Sequence, residues 1–170
     1  MTDVLLPIQR QCGSCQVCCQ EIEIPILQKP AFTRCQFQGT DRGCTIYGQH
    51  PKPCQVYRCG WLNGYGPEEL RPDLSHLLIE VSQIESPDRQ PLCTLLQVMP
   101  TKKLEFDDIV RRIEPLVSAG CAAIIVDEYN QQLAPVCAKG DEQLVVDTLG
   151  AFFNGDTPMT FADGEQVYLP

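Results

Sequence analysis

The sequence predicts an α+β protein, in which an irregular cysteine-rich module at the amino terminus precedes a largely antiparallel sheet with two helices. Two observations predict this class. Eight of the eleven cysteines fall within residues 12–59, among many glycines and prolines and with little hydrophobic periodicity. After residue 75, short apolar runs alternate with helical patterns. We therefore divide the chain into a cysteine-rich module at 1–70 and an α+β domain at 71–170, packed together as one compact unit.

The first elements of the predicted α+β domain are two strands and a helix. Residues 76–81 and 91–99 are short apolar runs separated by a turn-like segment, which predicts paired strands. A helical pattern follows at 105–119, with Asp107 and Asp108 in its first turn and Gly120 as its stop. Pro115 is expected to kink this helix or end it early.

The remaining elements are two further strands, a helix and a hairpin. Residues 121–127 have the continuous apolar character of a buried strand, and a turn at 129–131 leads to a strand at 133–138. Pro135 places that second strand at an edge, because proline cannot donate to the ladder. A helix is predicted at 142–153 and a short hairpin at 159–169.

The charge of the chain excludes several classes of partner. Thirteen basic and 22 acidic residues give a net charge of −9, which leaves no electrostatic footprint for nucleic acid or for an anionic membrane. The sequence has neither an apolar run of membrane-spanning length nor a signal-like amino terminus. We expect a cytoplasmic protein, and in that reducing compartment dense cysteines indicate metal ligands or redox groups rather than disulfides.

The spacing of the clustered cysteines is typical of a metal site. Two residues between cysteines let a tight turn direct both sulfurs at one ion about 2.3 Å away. The adjacent Cys18 and Cys19 have diverging side chains, so we expect them to serve different ions. Two four-coordinate sites, a thiolate-bridged dinuclear site and a single site with spare thiols all fit the spacing. The candidate ligands are Cys12, Cys15, Cys18, Cys19, Cys35, Cys44, Cys54 and Cys59.

The ligands alone do not choose the metal, because thiolate sets suit both zinc and iron–sulfur clusters. Zinc is our first expectation, and iron or a 4Fe-4S cluster is the alternative. The first three cysteines match the bacterial ferredoxin run, but Cys19 follows Cys18 at once where that run has three residues and then Cys-Pro. This departure weakens the match to ferredoxins, and a cluster whose fourth ligand is Cys35, Cys44, Cys54 or Cys59 remains the alternative.

These cysteines carry a resemblance to a known family. CxxCxxCC at 12–19, Cys35, the Cys-Thr-Ile-Tyr run at 44–47 and the Pro-Lys-Pro-Cys-Gln-Val-Tyr-Arg-Cys run at 51–59 resemble the CxxCxxCC family of zinc- or iron-chelating domains, the YkgJ-like proteins. The resemblance covers about a third of the chain and implies a small cytoplasmic metal-binding module. A related module in flagellin lysine methylases implies that it can accompany an enzyme as an iron–sulfur site. Where the family commonly has arginine before Pro51, this chain has His50.

Several other residues near the cysteines have two interpretations. His50 is either solvated in a turn or a metal ligand. Glu21 and Glu23 alternate with isoleucines, which predicts an edge strand at 21–26 with a solvated face, although a carboxylate could complete a metal site. Four aromatic residues are expected to pack around the centre, with a binding surface as the alternative: Tyr47, Tyr57, Trp61 and Tyr65.

The scattered cysteines and the second histidine are expected to be structural. Cys93, Cys121 and Cys137 each lie in an apolar strand-like run, which favours a place in the core. His76 begins such a run and is interpreted as a partly buried histidine.

The predicted function is metal binding through thiolates, with a structural, metal-handling or protein-docking role. An iron–sulfur protein acting as a redox or enzyme component is the alternative. The glycines at 60–66 lack a phosphate-binding pattern, and no nucleophile motif appears, so the sequence designates no catalytic residue.

Overall fold

A computed structural model describes residues 10–40, 43–85, 88–140, 143, 159–161 and 166–167. It confirms the α+β class. The helices are α1 (Val17–Glu21), α2 (Lys52–Val56), α3 (Pro72–Ser75) and α4 (Phe106–Ser118), with 3₁₀ turns at Pro25–Leu27 and Glu68–Leu70. The strands are β1 (Leu77–Glu85), β2 (Pro91–Pro100), β3 (Cys121–Asp127), β4 (Gln132–Cys137), β5 (Met159–Phe161) and β6 (Gln166–Val167).

The strands form one mixed sheet in the order β1-β2-β3-β4-β5-β6. The β1–β2, β3–β4 and β5–β6 pairs are antiparallel, whereas β2–β3 and β4–β5 are parallel. The largely antiparallel sheet of the prediction is therefore mixed. Helix α4 connects β2 to β3, and such a crossover returns the chain to lie parallel to the strand that it left.

Most of the predicted elements are present. Strand β3 has the predicted bounds, β1 begins one residue later than predicted and continues to Glu85, and β2 continues one residue further, to Pro100. Helix α4 continues through Pro115 to Ser118, so the early end does not occur. Gly120 lies two residues beyond the helix, where its φ of 97° is left-handed and its N–H donates to the Val117 carbonyl at 3.0 Å.

Three predictions for the carboxyl-terminal half have different outcomes. Strand β4 lies inside the sheet and not at its edge, but β5 pairs with it at Val136 and Cys137, beyond Pro135. The missing proline N–H therefore does not interrupt that ladder. The hairpin is confirmed by the β5–β6 pair, although its turn lies outside the described residues. The helix predicted at 142–153 also lies outside them, apart from the helical Gln143.

The two faces of β1 pack against different parts of the protein. Leu77 and Ile79 join the main apolar core between the sheet and α4. Leu78 points to the other face and packs with Cys59, Trp61 and Leu62. The sheet thus has α4 on one side and, at β1, the cysteine-bearing residues on the other.

We call residues 10–66 the cysteine region, and strands β1–β6 with α4 the sheet region. The two meet closely at Gly60, whose N–H donates to the Ile79 carbonyl at 2.6 Å. A Cβ at Gly60 would lie 3.1 Å from the Cγ2 atoms of Ile79 and Val81, so glycine permits this approach. The domain boundary at residue 70 stays a prediction.

The edge strand predicted at 21–26 is wrong. Helix α1 ends at Glu21, a 3₁₀ turn follows at Pro25–Leu27, and Ile24 pairs with Lys29 in an isolated bridge. Pro25 is pre-set for the first position of the 3₁₀ turn. Glu21 is buried and Glu23 is exposed, so the two carboxylates do not share a solvated face.

Candidate metal centre

All eight candidate ligands line one cavity of about 470 Å³ in the cysteine region. They reach it from four separate stretches of chain, spread over residues 12–59. The three other cysteines lie in strands of the sheet region, and none of them lines this cavity. Cys137 is buried there, as predicted, whereas Cys93 and Cys121 are partly buried.

The first four cysteines are positioned by a turn and a short helix. The Cys15 N–H donates to the Cys12 carbonyl at 2.9 Å, and Gly13 permits this turn with a φ of 57°. Cys18 and Cys19 lie on α1, which begins two residues after Cys15. These four thiols therefore lie within residues 12–19.

The other four cysteines are brought to the cavity by backbone contacts between distant segments. The Cys35 N–H donates to the Cys19 carbonyl at 3.2 Å, and Cys44 forms an isolated bridge with Gln38. Cys54 lies on α2, which starts after Pro51. Cys59 is buried and packs with Trp61 in the apolar cluster beneath β1.

Most interactions among the sulfurs fall within two groups of four thiols. Cys12 interacts electrostatically with Cys59 and also with Cys19, and Cys18 interacts with Cys19, Cys12 and Cys15. Cys54 interacts instead with Cys19, Cys35 and Cys44. We call Cys12, Cys15, Cys18 and Cys59 the first thiol group, and Cys19, Cys35, Cys44 and Cys54 the second thiol group.

The two groups touch at the adjacent cysteines of α1. A hydrogen bond between the two side chains raises the pKa of Cys18 and lowers the pKa of Cys19 to about 7. Burial opposes the lowering at Cys19, and the positive charge of Lys29 adds to it. The hydrogen bond and the nearby ammonium thus favour the thiolate at Cys19, and the thiolate is the form that binds metal.

Burial is the main influence on the pKa of four of the other thiols. It raises the pKa of Cys12, of Cys54 and of Cys59, and it raises the pKa of Cys15 to about 11. Backbone N–H groups work in the opposite direction, those of Leu62 and Trp61 at Cys59 and that of Val17 at Cys15. Such donors stabilise sulfur in its charged form.

One polar atom of the cavity wall lacks a hydrogen-bond partner. Tyr57 and Trp61 both line the cavity; the buried Tyr57 hydroxyl lies beside the Glu80 carboxylate, whereas the Trp61 Nε1 is buried without a partner among the described residues. A buried donor without an acceptor costs about 1–3 kcal/mol. An acceptor inside the cavity, such as a thiolate or an inorganic sulfide, would remove that cost.

The donors fit a soft metal, but they are not yet assembled around one. Within the described ranges, no three His, Cys, Asp or Glu side chains converge closely enough to hold an ion. A single ion needs thiolates about 2.3 Å away, whereas this cavity is far larger than one ion. Binding would therefore require the thiol side chains to close inward.

The two histidines contribute no assembled ligand. His50 lines the cavity, but its Nδ1 accepts a hydrogen bond from the Gly48 N–H at 3.0 Å and its ring stacks on Tyr47 at 5.1 Å. This supports the interpretation of His50 as a turn residue. His76 is not a cavity residue, and it ends α3 in a left-handed conformation with a φ of 58°.

The four aromatic residues do not all share one role. Tyr47, Tyr57 and Trp61 line the cavity, and Tyr47 is 73% exposed. Tyr65 packs instead against the main core between the sheet and α4. The predicted aromatic wall is therefore formed by three of the four.

Two charged residues lie near the thiols without any sequence pattern that predicts them there. Lys29 is buried and interacts with Cys35, Cys19 and Cys18. Asp73 lies beside Cys15 and is paired with Arg71 at 2.7 Å. Both are outside the cysteine motifs, and a lone lysine or aspartate carries no pattern that would have identified it.

No family model, no curated protein and no solved structure matches the chain. The resemblance to the CxxCxxCC family therefore stays a prediction. Among the described residues, no helix has the length and apolar character needed to cross a bilayer.

Proposed function

We propose that the protein binds one or two zinc ions through the clustered thiolates, in a structural, metal-handling or partner-docking role in the cytoplasm. One observation carries the proposal: the eight cysteines that the motif spacing selected line a single cavity, and the three others do not. Buried small hydrophobes would not need to gather around one cavity. Thiols that line one cavity are the donor chemistry that soft metals take.

The two thiol groups give this proposal a concrete form. Each group supplies four sulfurs, which is the number that a closed structural zinc site uses. The adjacent Cys18 and Cys19 belong to different groups. We therefore assign one four-coordinate site to each group, and the two sites would be neighbours across α1. Four thiolates close such a site, so no open position is left for hydrolytic chemistry.

An iron–sulfur cluster is the second candidate, and two observations favour it. The cavity is large for a single ion, and the buried Trp61 Nε1 has no acceptor among the described residues and lies in the cavity wall. Hydrogen bonds to cluster sulfurs tune the potential of such centres. The protein would then serve as a redox or enzyme component.

Elemental analysis tests both candidates. Zinc, iron and acid-labile sulfide should be measured per chain on protein purified without oxygen and without added metal. We expect zinc without sulfide, whereas iron with matching sulfide would replace the first candidate by the second. Protein that contains neither metal, and takes up neither when reduced and supplied with them, would contradict the proposal.

A matched pair of substitutions shows whether the cavity thiols hold the metal. Cys54→Ser changes a cavity thiol, and Cys93→Ser makes the same change on β2, away from the cavity. We expect metal content to fall in the Cys54 variant and to stay unchanged in the Cys93 variant. Equal metal content in both variants would place the metal elsewhere.

A further inference from the structure

Lys29 is a buried cation within the loop that joins two cysteines of the second thiol group. Lys29 lies between Cys19 and Cys35 in the sequence and is only 5% exposed. The backbone of Lys29 is fixed by the bridge to Ile24, in which each N–H donates to the other's carbonyl. A lysine is rarely so deeply buried unless its charge is used.

The ammonium of Lys29 binds three backbone carbonyls. It donates to Gln20 at 2.9 Å, to Ile22 at 2.5 Å and to Pro30 at 2.9 Å. Three bonds use all the donors of an ammonium. They hold the chain that leaves Cys19 against the chain that approaches Cys35, whose N–H in turn donates to the Cys19 carbonyl at 3.2 Å.

These carbonyls satisfy the hydrogen bonds of Lys29 but not its charge. Within the described part of the chain, no carboxylate forms an ion pair with it. Its strongest attractive neighbours are Cys35 and Cys19, followed by the buried Glu21 and then Cys18. A buried charge is costly without an opposite charge nearby, and thiolates at Cys35 and Cys19 would supply one.

We propose that Lys29 is a positioning residue of the metal centre, where its ammonium balances the thiolate charge of the second thiol group while its carbonyl bonds fix the loop from Cys19 to Cys35. This inference rests on the proposed function, because it needs thiolates that bind metal. Four thiolates around one zinc ion leave a net negative charge in a partly buried place. A fixed cation beside Cys19 and Cys35 offsets that charge without adding a ligand.

Substitutions at Lys29 separate its charge from its hydrogen bonds. Lys29→Met removes both, Lys29→Gln keeps a neutral donor, and Lys29→Arg keeps the charge. Lys52→Met is the matched control, since it makes the same change in net charge at an exposed lysine two residues from Cys54. Zinc affinity of the reduced, metal-free protein is measured by competition with a coloured chelator, and thermal unfolding of the same samples reports on folding.

The variants are expected to fall into two classes. Zinc affinity should drop about 10- to 100-fold in Lys29→Met and Lys29→Gln, the range found for partners that tune a metal's ligands. Lys29→Arg and Lys52→Met should bind zinc nearly as tightly as the unaltered chain. If Lys29→Met does not fold, Lys29→Gln decides the question, because its amide can still bind a carbonyl.

Two results would overturn the inference, and they differ from a failure of the proposed function. Lys29→Gln with unchanged zinc affinity would show that the charge is not used. An equal loss of affinity in Lys29→Gln and Lys29→Arg, with a lower unfolding temperature in both, would show a purely structural role. If the unaltered protein itself binds no zinc, the proposed zinc site fails before the role of Lys29 arises.

Discussion

The cysteine region and the sheet region have different kinds of interior. In the described residues, the largest fully buried side chains all belong to the sheet region, among them Leu77, Leu96, Ile109 and Ile113. The cysteine region buries a few residues, such as Trp61 and Leu62, around a cavity lined by thiols. The sheet region is stabilised by apolar burial, whereas the described part of the cysteine region has only a small apolar cluster at Cys59, Trp61 and Leu62 and, on the proposed function, would gain stability from bound metal.

The largest expected effect comes from the core of the sheet region. Leu96 is fully buried on β2, so Leu96→Ala should lower the free energy of unfolding by about 2–5 kcal/mol. Leu92 lies on the same strand and is 48% exposed. Leu92→Ala should change stability by less than about 0.5 kcal/mol. Denaturant unfolding measures both, and similar losses in the two variants would contradict the assigned burial.

Removing metal should destabilise the cysteine region. With free zinc at 100 times its dissociation constant, binding stabilises the region that holds it by about 2.7 kcal/mol. Chelation should therefore speed amide hydrogen exchange at 12–59 by about 100-fold and leave β2 and β3 unchanged. Mass spectrometry of exchange with and without chelator checks this. Equal acceleration in both regions would show that they open as one cooperative unit.

The smallest expected effect is a pH dependence of stability that comes from His76, between the cysteine region and β1. Burial lowers the pKa of His76 from its ordinary value of 6.5. The positive charges of Lys102 and Arg112 lower it further, whereas the negative charge of Asp73 raises it. The unfolded chain therefore takes up the proton at a higher pH than the folded protein. The contribution of His76 to the free energy of unfolding is fully present above pH 6.5. It is lost as the pH falls through the lowered pKa of His76 in the folded protein.

Replacing His76 isolates this contribution. His76→Gln should lose less stability than the unaltered protein when the pH is lowered from about 7.5 to about 5, because it has no proton to gain there. Denaturant unfolding at the two pH values measures the difference. An identical loss in both proteins would show that His76 titrates alike in the folded and unfolded chains.

Local patterns were enough to predict most of the sheet region. Apolar runs and a helical period gave β1, β2, β3 and α4, because each pattern matches the backbone period of its own element. The pairing of the strands was harder to predict from the sequence. The parallel β2–β3 pair follows from the crossover at α4, and the interior place of β4 depends on β5, which is distant in sequence.

In the cysteine region the sequence determined which thiols belong together, and the tertiary structure decided how they are arranged. Clustering in the sequence selected all eight cavity cysteines; the short spacings at 12–19 bring four sulfurs together locally, whereas the other four reach the cavity through contacts between distant segments. The division into two thiol groups, the burial of Glu21 and the place of Lys29 depend on contacts between segments far apart in the chain. Such contacts leave no periodic trace, because a single buried charge is defined by its surroundings and not by its neighbours in sequence.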